Sequence, residues 1–177
     1  MSIFYNKVLG YLKIIRAKQW LKNLIILIPF FASANSEYIK LLELFIVTIG
    51  FSLVASSTYL INDFIDRESD KLHPIKKNRV TLIESFTVRT LSIITFFLFI
   101  SGVIIIYNIS IQASVLALIY SFLSILYSFK TKYIKYLDLL SIAVFFILRL
   151  YIGGIVASIS ISIYTFLYIF FISTGIT

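Results

Sequence analysis

Residues 41–70 read LLELFIVTIGFSLVASSTYLINDFIDRESD, and this stretch decides the fold. From Leu41 to Ile61 it carries a single charge, Glu43, and no proline. That is enough apolar chain to cross about 30 Å of hydrocarbon as a helix. From Asn62 onward the character changes abruptly: four of the eight acidic side chains of the whole chain fall within 63–70. A membrane span therefore runs straight into a cluster of carboxylates at one membrane face. So many Ile residues would read as strand in water. In lipid, a long run without alternation reads as helix, because every backbone group must be satisfied within the segment.

The same texture extends in both directions. Of 177 residues, 60% are hydrophobic and 14% charged, whereas soluble chains are about 45–50% apolar. Spans are expected at about 20–34, 41–61, 86–107, 111–129, 138–158 and 160 to the end. The expectation is an all-α, polytopic membrane helix bundle, one domain over 1–177, with about six spans. Residues 3–22 form a basic amphipathic lead-in with Lys7, Lys13, Arg16, Lys18 and Lys22, too long and too charged for a cleavable signal peptide. With no cysteine there is no disulfide framework, thiolate nucleophile or Cys-ligated metal centre. A thin echo between Asn62-Asp63 and Lys130…Asp138 is too weak to establish an internal repeat.

Charge orients the chain. The lead-in, the connection at 62–85 (Arg67, Lys71, Lys76, Lys77, Arg79) and that at 130–137 (Lys130, Lys132, Lys135) are basic, whereas the alternate connections hold only Lys40. By the positive-inside rule the N-terminus and the acidic cluster are cytoplasmic, in an integral protein of the cell (inner) membrane. The net charge of +8 is then topogenic and lipid-directed rather than a sign of nucleic-acid binding.

If the second span continues as helix, 100° per residue places Asp63, Asp66 and Asp70 within an arc of about 60°, with Glu68 pointing away. Three carboxylates on one face repel one another unless a cation sits among them. Oxygen-only ligands of this kind suit Mg²⁺, which keeps waters and completes its shell with substrate phosphates, and Asn62 offers a further carbonyl oxygen. A solvated, charged helix end is the plain alternative. Against it stands the run Lys71, His73, Lys76, Lys77 and Arg79 that follows, since metal and basic side chains together hold a diphosphate leaving group. His73 and the lysines Lys130, Lys132 and Lys135 also read as solvated or topogenic groups. Asp138 stands at the mouth of the fifth span and Arg149 about 16 Å further along it. A mid-membrane arginine either serves a site or pairs with a polar group of another helix.

These residues resemble the UbiA-type intramembrane prenyltransferase superfamily, whose Asn-Asp-x-x-Asp-x-x-x-Asp signature is matched by Asn62 through Asp70. The resemblance is sharper to the decaprenyl-phosphate phosphoribosyltransferase branch. It is carried by Arg16-Ala17-Lys18-Gln19-Trp20-Leu21-Lys22-Asn23, by Tyr59 through Arg79, and by Tyr127-Ser128…Lys130…Asp138 with Leu148-Arg149 beyond. What it implies is a helical funnel that moves 5-phosphoribose from phosphoribosyl pyrophosphate to a polyprenyl phosphate with Mg²⁺, in cell-envelope arabinose-sugar synthesis. By resemblance, Asn62, Asp63 and Asp66 hold Mg²⁺ and pyrophosphate with Asp70 in support, Asp63 and Asp66 being the catalytic pair. Lys76, Arg79 and Lys130 contact phosphates, and Lys18, Lys22 and Asn23 bind a phosphorylated substrate, with Asp138 and Arg149 also assigned to the substrate.

The chain departs from the pattern in places. The superfamily's second Asp-x-x-x-Asp is reduced to Asp138 with Ile142 four residues on, and Val80 stands where the branch has proline. Family members have about nine spans, so the chain reads as a C-terminally truncated member. An aromatic prenyltransferase using a polyprenyl diphosphate, and a non-enzymatic membrane protein or inactive fragment, remain the alternatives. Oligomeric state is not legible.

Overall fold

The structure, a computed structural model, describes residues 13–33, 37–72, 74 and 86–175. The described residues are all helical apart from their connections. A 3-10 segment, Ala17–Leu27, leads into α1 (Ile28–Ala32). Then follow α2 (Tyr38–Asp70), α3 (Val88–Ile109), α4 (Ile111–Phe129), a 3-10 turn (Thr131–Tyr133), α5 (Lys135–Ala157) and α6 (Ile163–Gly175). Helices α2 to α5 are each long and apolar enough to cross a membrane, and they make the protein an integral membrane bundle.

The second to fifth expected spans fall on these four helices, and α2 continues unbroken through the acidic cluster. Its 33 residues make a rod of about 50 Å, so its acidic end projects well past a hydrocarbon core of about 30 Å. The flanking regions differ from the simple picture of full spans. Around 20–34 the chain forms the 3-10 segment and the five-residue α1, which Pro29 opens at a position where its missing N–H costs nothing. Beyond 160 the described helix, α6, has 13 residues.

The 3-10 segment lies antiparallel to α2. Arg16 bonds Asp63, Trp20 Nε1 donates to Ser56 Oγ (3.0 Å) and Asn23 Nδ2 donates to Ser52 Oγ (2.9 Å). At about 2.0 Å per residue, Arg16 to Asn23 rises about 14 Å, close to the roughly 16 Å that separates Ser52 from Asp63 on an α-helix. An α-helical segment would cover only about 10 Å and lose one of the three pairings. The 3-10 winding thus matches the spacing of its hydrogen-bond partners.

Helix α2 is the most buried of the four spans and α3 the least. Close approach depends on small residues, as expected where lipid gives helices little hydrophobic reason to associate. A Cβ on Gly102 would lie 2.5 Å from the Gly50 carbonyl oxygen, fixing the α2–α3 crossing. One on Gly153 would lie 2.0 Å from the Ile26 carbonyl oxygen, so α5 meets the 3-10 segment backbone to backbone. Around these crossings Phe51, Leu44, Ile26, Ile106, Tyr120 and Ile152 form one continuous core.

Candidate functional site

Three elements converge beside the acidic end of α2. Arg16 opens the 3-10 segment in the left-handed conformation (φ 52°, ψ 45°), uncommon for a residue with a Cβ and often a mark of functional constraint. The turn aims its guanidinium at α2, where Nε donates to Asp63 Oδ2 (2.9 Å) and Nη2 to Oδ1. The same guanidinium lies over the Tyr59 ring, 5.1 Å from its centroid. Asp63 is buried, so its charge is balanced at close range by a bidentate fork. One turn on, Asp66 accepts from Lys132, which the 3-10 turn between α4 and α5 carries inward.

The 3-10 winding sorts its own side chains. At 120° per residue, positions three apart eclipse. Arg16 and Lys22 share one face, which borders a cavity. Trp20, Asn23 and Ile26 share a second, turned to α2 and α5. Lys18, Leu21 and Leu24 share the third and are exposed, while Leu27 at its end is buried.

The cavity, about 350 Å³, is bounded by α2, α4, α5 and the 3-10 segment. Asn62, Asp66, Asp70 and Lys132 form its acidic end; Tyr59, Ser124, Tyr127 and Ser128 its walls; Tyr120, Phe145, Phe146 and Arg149 its floor. Four cationic side chains, Arg16, Lys22, Lys132 and Arg149, and two carboxylates line it. Asn62 Oδ1 is buried there without a hydrogen-bond partner, an arrangement that calls for a ligand, an ion or water. At the floor Arg149 is 2% exposed. Its Nε donates to Asn23 Oδ1 (2.8 Å), Nη1 to the Phe145 carbonyl (2.6 Å) and Nη2 to Tyr120 Oη (3.2 Å). Tyr127 Oη donates to Asp138 Oδ1 (2.8 Å) at the rim.

Of the residues singled out from the sequence, Lys22, Asn62, Asp66, Asp70 and Arg149 border the cavity. Asp63, Asn23 and Asp138 stand directly behind it through Arg16, Arg149 and Tyr127. Lys18 and Lys130 are exposed and do not line it. His73, Lys76, Lys77, Arg79, Val80 and the lead-in through residue 12 lie outside the described residues. Sequence reasoning did not assign site roles to Arg16, Lys132, Tyr59 or Tyr127. Arg16 stood at the head of the quoted Arg-Ala-Lys-Gln-Trp motif, and Lys132 in the basic loop, so the signal for both was present but undivided. Among the described residues no three carboxylate or imidazole groups converge tightly enough to ligate an ion by themselves.

The class this defines is an integral membrane helix bundle that encloses, among the described residues, a polar cavity of mixed acidic and basic lining. The chain belongs to the UbiA prenyltransferase family, whose model matches residues 23–177. It is 30% identical to the decaprenyl-phosphate phosphoribosyltransferase of Mycolicibacterium smegmatis over 165 residues, 89% of this chain and 51% of that protein. To the Corynebacterium glutamicum protein of the same name it is 31% identical over 166 residues, 86% and 48% of the two chains. An uncharacterized protein of Sinorhizobium fredii is 28% identical over 97% of this chain and 34% of its own. The chain thus spans between about a third and a half of the length of these curated relatives.

Proposed function

We propose that this chain takes part in transferring 5-phosphoribose from phosphoribosyl pyrophosphate to a polyprenyl phosphate, with Mg²⁺, at the cytoplasmic face of the membrane. The observation that carries the reading is the gathering of Asn62, Asp66 and Asp70 with Arg16, Lys22 and Lys132 around one cavity. The names of the mycobacterial and corynebacterial relatives supply the acceptor class and the transferred phosphoribosyl group, and the pyrophosphate donor is what the motif resemblance implies.

The donor set fits Mg²⁺. It consists of oxygens alone, and Asn62 Oδ1 is a buried acceptor without a partner. Magnesium typically takes one or two carboxylates and fills its shell with water and substrate phosphate, so no three-carboxylate cage is required. Asn62, Asp66 and Asp70 would hold it, with Asp63 behind, and when bound the ion supplies positive charge to the leaving diphosphate.

The remaining chemistry falls to the chain's own side chains. The bond from the ribose anomeric carbon to the diphosphate oxygen breaks, and a lipid phosphate oxygen forms the new bond to that carbon. Pyrophosphate departs with the bonding pair. Arg16, Lys22 and Lys132 meet the negative charge that grows on it, Arg as a fork and Lys as point charges. Asp63 holds Arg16 in place. The acceptor is already an anion, so no general base is needed. Lys76 and Arg79 belong to the same proposal as further phosphate contacts.

Calorimetry on the protein in lipid nanodiscs tests this. Phosphoribosyl pyrophosphate is expected to bind far more tightly with Mg²⁺ present, and Asp66→Ala to weaken it by roughly 100-fold, about 2.7 kcal/mol. Equal binding with and without Mg²⁺, or an unaffected Asp66→Ala, would remove the basis of the reading.

A further inference from the structure

The guanidinium of Arg149 is buried at the cavity floor, about 16 Å of helix from the level of Asp138. Among the described residues it has no carboxylate partner: its three hydrogen bonds go to an amide oxygen, a backbone carbonyl and a phenol. A buried charge without a counter-ion is expensive and marks a functional site. One substitution, Asn23→Asp, would supply that counter-ion at 2.8 Å, yet the chain keeps the neutral amide. The rings of Phe51, Tyr120 and Phe146 surround the head, with centroids 5.2, 4.9 and 5.6 Å from Cζ, and fix its plane. Three bonds leave about two of the five guanidinium N–H groups for the cavity it borders.

We propose that Arg149 forms a second anion subsite that receives a phosphomonoester at the far end of a sugar diphosphate bound at the acidic mouth. This deepens the proposed function and rests on it for the diphosphate end. The two ends of the cavity then read as two different phosphate sites. The mouth combines oxygen donors with Arg16 and Lys132, suited to a metal-bound diphosphate. The floor offers, among its aromatic rings, a guanidinium and no carboxylate, suited to an anion without metal. A sugar phosphorylated at both ends satisfies both. An allylic diphosphate would instead press hydrocarbon against a buried guanidinium, so Arg149 selects the class of donor.

The test uses the protein in nanodiscs with two probes, ribose 5-phosphate and Mg²⁺-pyrophosphate, each measured by calorimetry. Asn23→Asp neutralises the floor and keeps the acceptor for Arg149 Nε, while the Asn23–Ser52 bond survives only if the serine hydroxyl turns from Thr48 to donate to the new carboxylate. The substitution should weaken ribose 5-phosphate by about tenfold or more, change pyrophosphate by less than about twofold, and leave the unfolding midpoint undiminished. Asp66→Ala should do the reverse. The proposal is overturned if ribose 5-phosphate binds equally well to Asn23→Asp, or if both probes weaken together at an unchanged midpoint. Wild-type protein that binds pyrophosphate but not ribose 5-phosphate also overturns it. Wild-type protein that binds ribose 5-phosphate but not pyrophosphate overturns the diphosphate reading of the mouth and leaves the floor subsite standing.

Discussion

Gly153→Ala joins the fold to the site in one perturbation. The new methyl carbon would sit 2.0 Å from the Ile26 carbonyl oxygen and 2.8 Å from its carbon, both backbone atoms that no rotamer change can move. An ordinary carbon–oxygen contact is about 3.3 Å or longer, so α5 and the 3-10 segment must part by about 1.3 Å. Arg149 lies one turn before Gly153, and Asn23 one 3-10 turn before Ile26. The same displacement stretches their 2.8 Å bond to about 4 Å, beyond hydrogen-bond range. Overpacking costs about 1–3 kcal/mol and a lost bond to a charged group about 1.5–3 kcal/mol, so destabilisation of about 2.5–6 kcal/mol is expected. Unfolding by denaturing detergent from mixed micelles measures it. Gly175→Ala, where an added Cβ meets nothing within 4 Å, is the control and should change stability by less than about 1 kcal/mol. A Gly153→Ala protein within about 1 kcal/mol of wild type would refute the backbone-to-backbone crossing and the link from Gly153 to Arg149.

Two further substitutions probe the mouth. Arg16→Gln removes the fork from Asp63 and should weaken Mg²⁺-pyrophosphate about tenfold or more by calorimetry, with Arg16→Lys recovering only part because an ammonium cannot bridge two oxygens. Tyr127→Phe deletes the 2.8 Å bond to Asp138 and should lower unfolding stability by about 1–2 kcal/mol at the half-exposed rim, with little effect on ribose 5-phosphate.

How far the sequence reveals this arrangement depends on which physical rule governs each part. The run from Leu41 to Asp70 is legible because lipid allows one answer for an unbroken apolar stretch, and 100° per residue then brings Asp66 and Asp70 to one cavity. The segment Ala17–Leu27 is not legible in the same way. Its composition suits an α-helical span, and the tighter winding arises from the spacing of Ser52, Ser56 and Asp63 on a neighbouring helix. That winding separates Lys22, on the cavity, from Lys18, on the exposed face, although both sit in one basic motif. The positive φ of Arg16 has no local sequence signal, since glycine would be the usual occupant. Among the loop lysines, sequence alone favoured Lys130, but the 3-10 turn swings Lys132 to Asp66 instead. Arg149 was legible as a mid-membrane charge; that its partners are Asn23 and Tyr120 rather than a carboxylate depends on tertiary packing.

The most direct test of the account is the transfer itself. Protein in nanodiscs would be given Mg²⁺, phosphoribosyl pyrophosphate labelled in the ribose, and a polyprenyl phosphate. It would be assayed both as the 177-residue chain and with whatever the reading frame encodes beyond Thr177. A parallel reaction would offer a polyprenyl diphosphate and an aromatic acid. The account predicts a labelled lipid from the first pair that disappears with Asp63→Ala, and no prenylated acid from the second. A prenylated aromatic product, or no labelled lipid from either form of the protein, would contradict it.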